Sequence, residues 1–263
     1  MRRGEDIKYR VEAPVPKYHW ELWHSRMGHV ARELLKQIEA SSTGIRIDEK
    51  SWVAHAGCAN CKAGNMLTWK NEDLEIRDRK VYAPLEDLIS DYQGPFRILS
   101  LVHGYSGICW FMDRRTKLTG AFPVKSKAEA LEQLKIFIAS CRALQESFTG
   151  TSYKLHVSPR LISSDQGGEQ MSKEWDSYTR TNGIERVYSG TGQHYETVLL
   201  DRKIRTVSDR TRVSIHACYD LLNLWAVCVV YMNYLENRTP SSSTGVSPLT
   251  SLRKRPGDLR HIR

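Results

Sequence analysis

Two sets of side chains in this 263-residue chain have the types and spacing for metal chemistry. The first is a His-x4-His pair, His24 and His29 in WHSRMGH, followed by a Cys-x2-Cys pair, Cys58 and Cys61 in CANC. Two imidazoles and two thiolates can close a tetrahedral shell around zinc, and a Cys-x2-Cys turn lets both sulfurs face one ion. His19 and His55 lie close by in sequence and compete for the same positions; the plainer alternative is histidines in an aromatic core beside an accidental Cys pair. The second set is acidic: Asp91, Asp165 and Asp201, with thirty-five residues between the last two. Such hard oxygen ligands bind magnesium or manganese, which in turn bind phosphate oxygens. Three carboxylates at one edge could hold two such ions about 4 Å apart, a geometry suited to in-line displacement at phosphorus. Each acid also has a simpler reading. Asp91 before YQGP and Asp165 before QGG are ordinary turn starters, and Asp201 could pair with Arg205 one helical turn on, for about 0.3 kcal/mol.

The elements that must bring these residues together can be read from periodicity. PLEDLISD (84–91) alternates apolar residues and ends in an acid, as does RLISSD (160–165), so both predict strands whose ends can set two carboxylates side by side. SGICWFM (106–112) and LTGAFPV (118–124), joined by DRRTK, predict a hairpin. Residues 127–144 repeat apolar positions at helical spacing. A helix over about 172–181, a short strand at 184–189 and long helices over roughly 196–217 and 219–236 follow, the helix from 196 carrying Asp201. That order predicts a mixed α/β sheet covered by helices on both faces. A polar leader (1–17) and a small aromatic- and His-rich unit (18–74) precede the larger unit (75–240), and a C-terminal extension (241–263) follows it. A unit of about sixty residues has little core, so a structural zinc would contribute to its folding.

Composition narrows the function classes. With 40% hydrophobic and 26% charged residues the chain is that of a folded domain. Its net charge of +9 favours an anionic partner, most often nucleic acid. The longest apolar run, LWAVCVVYM (224–232), is too short to span a bilayer, and MRRGEDIKYR is no signal peptide, so neither a membrane nor secretion is expected. Cys109, Cys141, Cys218 and Cys228 then read as isolated core thiols.

The ordered series WHSRMGH, CANCKAG, ISDYQGPF, MDRRTK, SSDQGGEQ, DRKIRTV and NRTPSS resembles the pre-integrase zinc region and integrase core of copia-type LTR retrotransposon polyproteins, from about Leu22 to the C-terminus. The resemblance implies a ribonuclease H-like, mixed five-stranded sheet flanked by helices, preceded by a small helical zinc-binding domain. It implies that His24, His29, Cys58 and Cys61 hold structural zinc. It implies too that Asp91, Asp165 and Asp201 are the catalytic acids, binding Mg2+ or Mn2+, of a polynucleotidyl transferase that trims DNA 3' ends and joins them to a target. The implied partners are double-stranded DNA and further copies of the chain, and the implied location is the nucleus or a cytoplasmic virus-like particle. DNA phosphates are expected to meet the loop 190–197, with Gln193 and His194, and the bases Arg202, Lys203 and Arg205; a solvated helix face is the alternative for those bases.

The series departs from the family mildly at Asn65 after CKAG and at YQGP after the first predicted strand, and most strongly at one further place. Asp201 stands where the family's D,D-35-E pattern has glutamate, and Thr197-Val198 stand where it has Asn-Gly. The acid is shorter by one methylene, about 1.5 Å. A DNA-binding remnant without catalysis is therefore the main alternative to an active integrase, and a ribonuclease H-like nuclease, which has no need of the zinc unit, is a third.

Overall fold

The computed structural model describes residues 19–48, 51, 58, 60–61, 82–146, 158–164, 173–188, 197–217, 221–241, 244–254, 257–260 and 262. The expected leader, Asp165, Gln193 and His194 lie outside the described residues, as does residue 172 at the predicted helix start. In chain order the elements are α1 (Trp20–Arg26), α2 (Arg32–Ser41), β1 (Ser42–Thr43), β2 (Asp87–Gln93), β3 (Gly107–Asp113), β4 (Thr119–Val124), α3 (Ala130–Glu146), β5 (Leu161–Ser164), α4 (Lys173–Thr181), β6 (Glu185–Tyr188), α5 (Val198–Ala217), α6 (Trp225–Glu236), α7 (Pro248–Arg253) and β7 (Gly257–Asp258).

Five strands form one sheet in the order β4-β3-β2-β5-β6. The hairpin strands β3 and β4 and the neighbour β2 run antiparallel, whereas β2, β5 and β6 run parallel. This is the mixed five-stranded sheet flanked by helices that the resemblance implies. The two-residue period of a strand divides the core into two layers. Leu88, Cys109, Phe111 and Ile162 point to the layer shared with Leu134, Phe137 and Ile138 of α3. Ile89, Ile108, Trp110 and Met112 point to the opposite layer, where Leu200, Ile204 and Val207 of α5 and Val229, Met232 and Leu235 of α6 cover them. All of β3 is buried, as its run of aromatic and branched residues requires. A capping box starts the segment leading into α3: the Ser126 hydroxyl accepts from the Ala128 N–H, and Glu129 accepts from the Ser126 N–H at 2.9 Å.

The free edge of β4 is tied to α6 by two asparagines. Asn237 accepts from the Thr119 N–H at 3.0 Å and donates to the Thr119 carbonyl at 2.7 Å, and Asn233 donates to the same carbonyl at 2.8 Å. These side chains satisfy backbone groups that an edge strand would otherwise leave open. The sequence also predicts one helix from 219; instead a 3-10 turn at Leu222–Leu224 precedes α6. Here the Asn223 carbonyl accepts from the Leu101 N–H at 2.7 Å, and no side chain caps the start of α6.

The first unit and the sheet share one apolar cluster. Trp20, Trp23, Met27 and Val30 pack with Ile204, Val229, Met232 and Leu235. Gly28, at φ 68°, makes the closest approach: a Cβ there would lie 2.6 Å from Met232 Sδ and 3.2 Å from a Leu235 methyl. A left-handed backbone costs a non-glycine residue about 1–2 kcal/mol. Gly28→Ala is therefore expected to lower the melting temperature by roughly 2–8 °C, measured by circular dichroism. An unchanged melting temperature would mean that this turn is not under the constraint described. The C-terminal segment closes the same cluster. β7 pairs in parallel with β1, and Leu259 and Ile262 are buried beside Ile45 and Ile47.

Candidate functional site

The helix α1 supplies the first member of the His/Cys group, and the turn after it supplies the second. The chain leaves α1 through Gly28 and His29, both in the left-handed region, and the His29 N–H returns to the His24 carbonyl at 2.7 Å. Two successive left-handed residues fold the His29 ring edge-on to His24, with centroids 4.9 Å apart. His24 Nδ1 lies 2.8 Å from the Val30 carbonyl, so that nitrogen carries the proton and donates it, leaving the Nε2 lone pair facing the cluster. Cys58 and Cys61 complete the set. One donor atom from each of the four residues lies within 4.8 Å of every other.

The separations fit a tetrahedral ion. Zinc bonds of 2.0–2.3 Å at tetrahedral angles put two nitrogens about 3.3 Å apart and nitrogen and sulfur about 3.6 Å apart. Here His24 Nε2 and His29 Nδ1 are 3.2 Å apart, Cys61 Sγ lies 3.4 Å from the first and 3.6 Å from the second, and Cys58 Sγ lies 3.5 Å from His29 Nδ1. Burial, then the neighbouring His24 and Arg210, lowers the His29 pKa to about 4, which keeps its lone pair available. Burial, then Cys58, pushes the Cys61 thiol up to about 12; a divalent cation between the sulfurs would reverse that repulsion. His19 is not part of the cluster. Its side chain is 57% exposed and accepts from the Glu21 N–H at the start of α1. The other competitor, His55, lies outside the described residues.

Asp91 falls within β2, and Asp201 on the helix that covers one face of the sheet. Asp91 pairs in register with Trp110 on β3, and with Ile89 it shares the period of the face that α5 covers. It is half-buried, and its Oδ1 accepts from the Tyr92 N–H at 2.7 Å. Ser90 is in register with Ser164, the last residue of β5; Asp165 itself lies outside the described residues. Asp201 sits in the first turn of α5, exposed, with its Oδ2 3.4 Å from Thr197 Oγ1. The Thr197 carbonyl accepts from the N–H groups of Leu200 and Asp201, so this residue starts the helix.

Of the bases on α5, Arg202 and Arg205 are exposed, whereas Lys203 is largely buried with its ammonium 2.8 Å from Glu236 Oε1. Arg210 reaches the other oxygen of the same carboxylate. Burial works to raise the Glu236 pKa, but Arg210 and Lys203 hold the carboxyl below its ordinary value. Sequence reading missed Glu236 and Arg210. The available signal was an acid at the end of a helix otherwise apolar all round, which needs a cationic partner if buried.

No protein-family model matches the chain. A retrovirus-related Pol polyprotein from the tobacco (Nicotiana tabacum) transposon TNT 1-94 is 28% identical over 223 residues, which is 84% of this chain. The chain spans 15% of that polyprotein's length. Structures of the catalytic core domain of HTLV-2 integrase in complex with magnesium, in trimeric and dimeric form, match at 14% and 15% identity, each with a TM-score of 0.43. They cover 63% and 64% of this chain and 94% and 97% of their own. Among the described residues no helix is long and apolar enough to cross a membrane. Over 223 residues the chain is similar in sequence to that transposon's retrovirus-related Pol polyprotein, and it has both the His/Cys cluster and the mixed five-stranded sheet.

Proposed function

We propose that the chain is the pre-integrase and integrase segment of a retrotransposon polyprotein, a polynucleotidyl transferase that trims DNA 3' ends and joins them to target DNA. One observation carries this reading. The sheet period puts Asp91 on the face covered by α5, the helix that bears Asp201, while β5 ends at Ser164 in register beside Ser90. Asp165 follows Ser164 in the chain and lies outside the described residues; we read the three acids as one metal-binding group.

In this reading Asp91, Asp165 and Asp201 hold Mg2+ or Mn2+, which would supply charge stabilisation at a phosphodiester and lower the pKa of an attacking hydroxyl. The carboxylates would position those ions against the reacting phosphate. Thr197, at 3.4 Å, steadies the Asp201 carboxylate. Arg202 and Arg205, with Gln193 and His194 of the preceding loop, meet the DNA backbone, whose phosphates dominate affinity. Lys203 lies between them in sequence with its ammonium engaged by Glu236. His24, His29, Cys58 and Cys61 hold zinc, which stabilises the first unit against α6. The boundaries 18–74 and 75–240 describe the two units, which act on DNA as a multimer in the nucleus or in a virus-like particle.

The test uses the purified chain with manganese and a labelled duplex carrying the element's terminal sequence. Trimmed and joined products are expected, and Asp91→Asn should abolish both. Asp201→Glu restores about 1.5 Å of reach, and should raise joining by an order of magnitude or more, since about 1 Å at a reacting centre is worth on the order of 100-fold. Salt-sensitive DNA binding without either product would make the chain a DNA-binding remnant. Cleavage of an RNA–DNA hybrid without joining would make it a nuclease.

A further inference from the structure

We infer that Glu236 is the positioning residue for Asp201, fixing the roll of α5 over the sheet edge; the inference rests on the reading of Asp201 as a site acid. Lys203 and Arg210 are two helical turns apart on α5, about 10.5 Å along its axis. Both cations reach the two oxygens of the single Glu236 carboxylate at the end of α6. At 100° per residue they share one flank of the buried ridge formed by Leu200, Ile204 and Val207, and Asp201 lies on the opposite flank. An apolar ridge by itself is a non-directional contact and permits roll. A carboxylate gripping two cations on one flank does not.

The grip is referenced to the sheet that carries Asp91. Asn233 and Asn237, on either side of Glu236 in sequence, fasten this end of α6 to both backbone groups of Thr119 in β4. A continuous series of polar contacts therefore runs from β4 through α6 and Glu236 to α5. Side chains reach about 6 Å from a helix axis, half the helix diameter, so a 10° roll displaces the Asp201 carboxylate by about 1 Å.

The test compares the full zinc-loaded chain with Glu236→Gln and with the double variant Arg210→Met/Glu236→Leu, which replaces the ion pair by apolar side chains and preserves the fold if the single variant does not. Melting temperature and zinc content report the fold. Joining rate, the half-saturating manganese concentration, the DNA Kd and amide hydrogen exchange over Leu200–Ile204 report position. A double variant that melts near the parent, with joining down 10- to 100-fold, a raised manganese requirement and an unchanged DNA Kd, is the expected result. The same fold with unchanged rate and manganese requirement overturns the proposal. If the parent chain joins no DNA, the catalytic reading fails separately. Hydrogen exchange then decides: faster exchange over Leu200–Ile204 in the folded double variant supports the grip, and unchanged exchange overturns it.

Discussion

Cys61→Ser is expected to abolish zinc binding and to lower the melting temperature by roughly 8–16 °C. Four donors within 4.8 Å, two of them thiols that repel one another as thiolates, form a cluster that is costly without a cation. Binding of structural zinc to small domains is worth about 10–16 kcal/mol near neutral pH. Losing one thiolate need only remove a third of that, about 4 kcal/mol, to shift melting by 8–16 °C at 2–4 °C per kcal/mol. The loss should not stay within the first unit, because the turn that places His29 packs Gly28 against Met232 and Leu235, and Trp23 and Met27 share the cluster beneath α5. Zinc content by atomic absorption, far-UV circular dichroism and tryptophan fluorescence would follow the change. His19→Ala is the control, since His19 is exposed and outside the cluster; it should retain the metal. One zinc per chain and unaltered melting in Cys61→Ser would sink the assignment of the four ligands.

What was legible in the chain was what local pattern encodes. Alternation in DLISD and the β-rich run GICWFM gave the strands, and the spacings His-x4-His and Cys-x2-Cys identified four residues whose donor atoms the fold gathers. The contacts that were not legible are those made across long sequence separations. Nothing near Thr119 announces that Asn233 and Asn237 will satisfy its backbone. Nothing in the extension from 241 announces that β7 will pair with β1 or that Leu259 will enter the first unit's core. Charge pattern had a similar limit. Arg202, Lys203 and Arg205 read alike as bases next to an acid, yet a helix presents them in different directions, and Lys203 alone turns to Glu236.

Glu236→Ala is expected to destabilise the protein by about 3–5 kcal/mol, because removing one partner of a buried ion pair leaves the other charge uncompensated. That corresponds to a melting temperature lower by roughly 6–20 °C. The effect comes from the orphaned cation and not from the loss of a net attraction, so Arg210→Met/Glu236→Leu, with apolar groups facing one another, should melt close to the parent. Lys203 is near enough to the surface, at 15% exposure, to carry its ammonium to water on its own stem. The pH dependence follows from the direction of the shift. Arg210 and Lys203 hold the folded-state carboxyl below its ordinary value of 4.5 in spite of burial. Its contribution is therefore fully present above about pH 4.5 and is lost as the pH falls below that through the lowered folded value. Urea titrations of the parent between pH 7 and 3 should show this acid loss, and the double variant should lack that component. An equal acid loss in both would assign it to other carboxylates; equal melting of Glu236→Ala and the parent would mean that neither Arg210 nor Lys203 needs this partner to stay buried, and with that the grip on α5 would have no energetic basis.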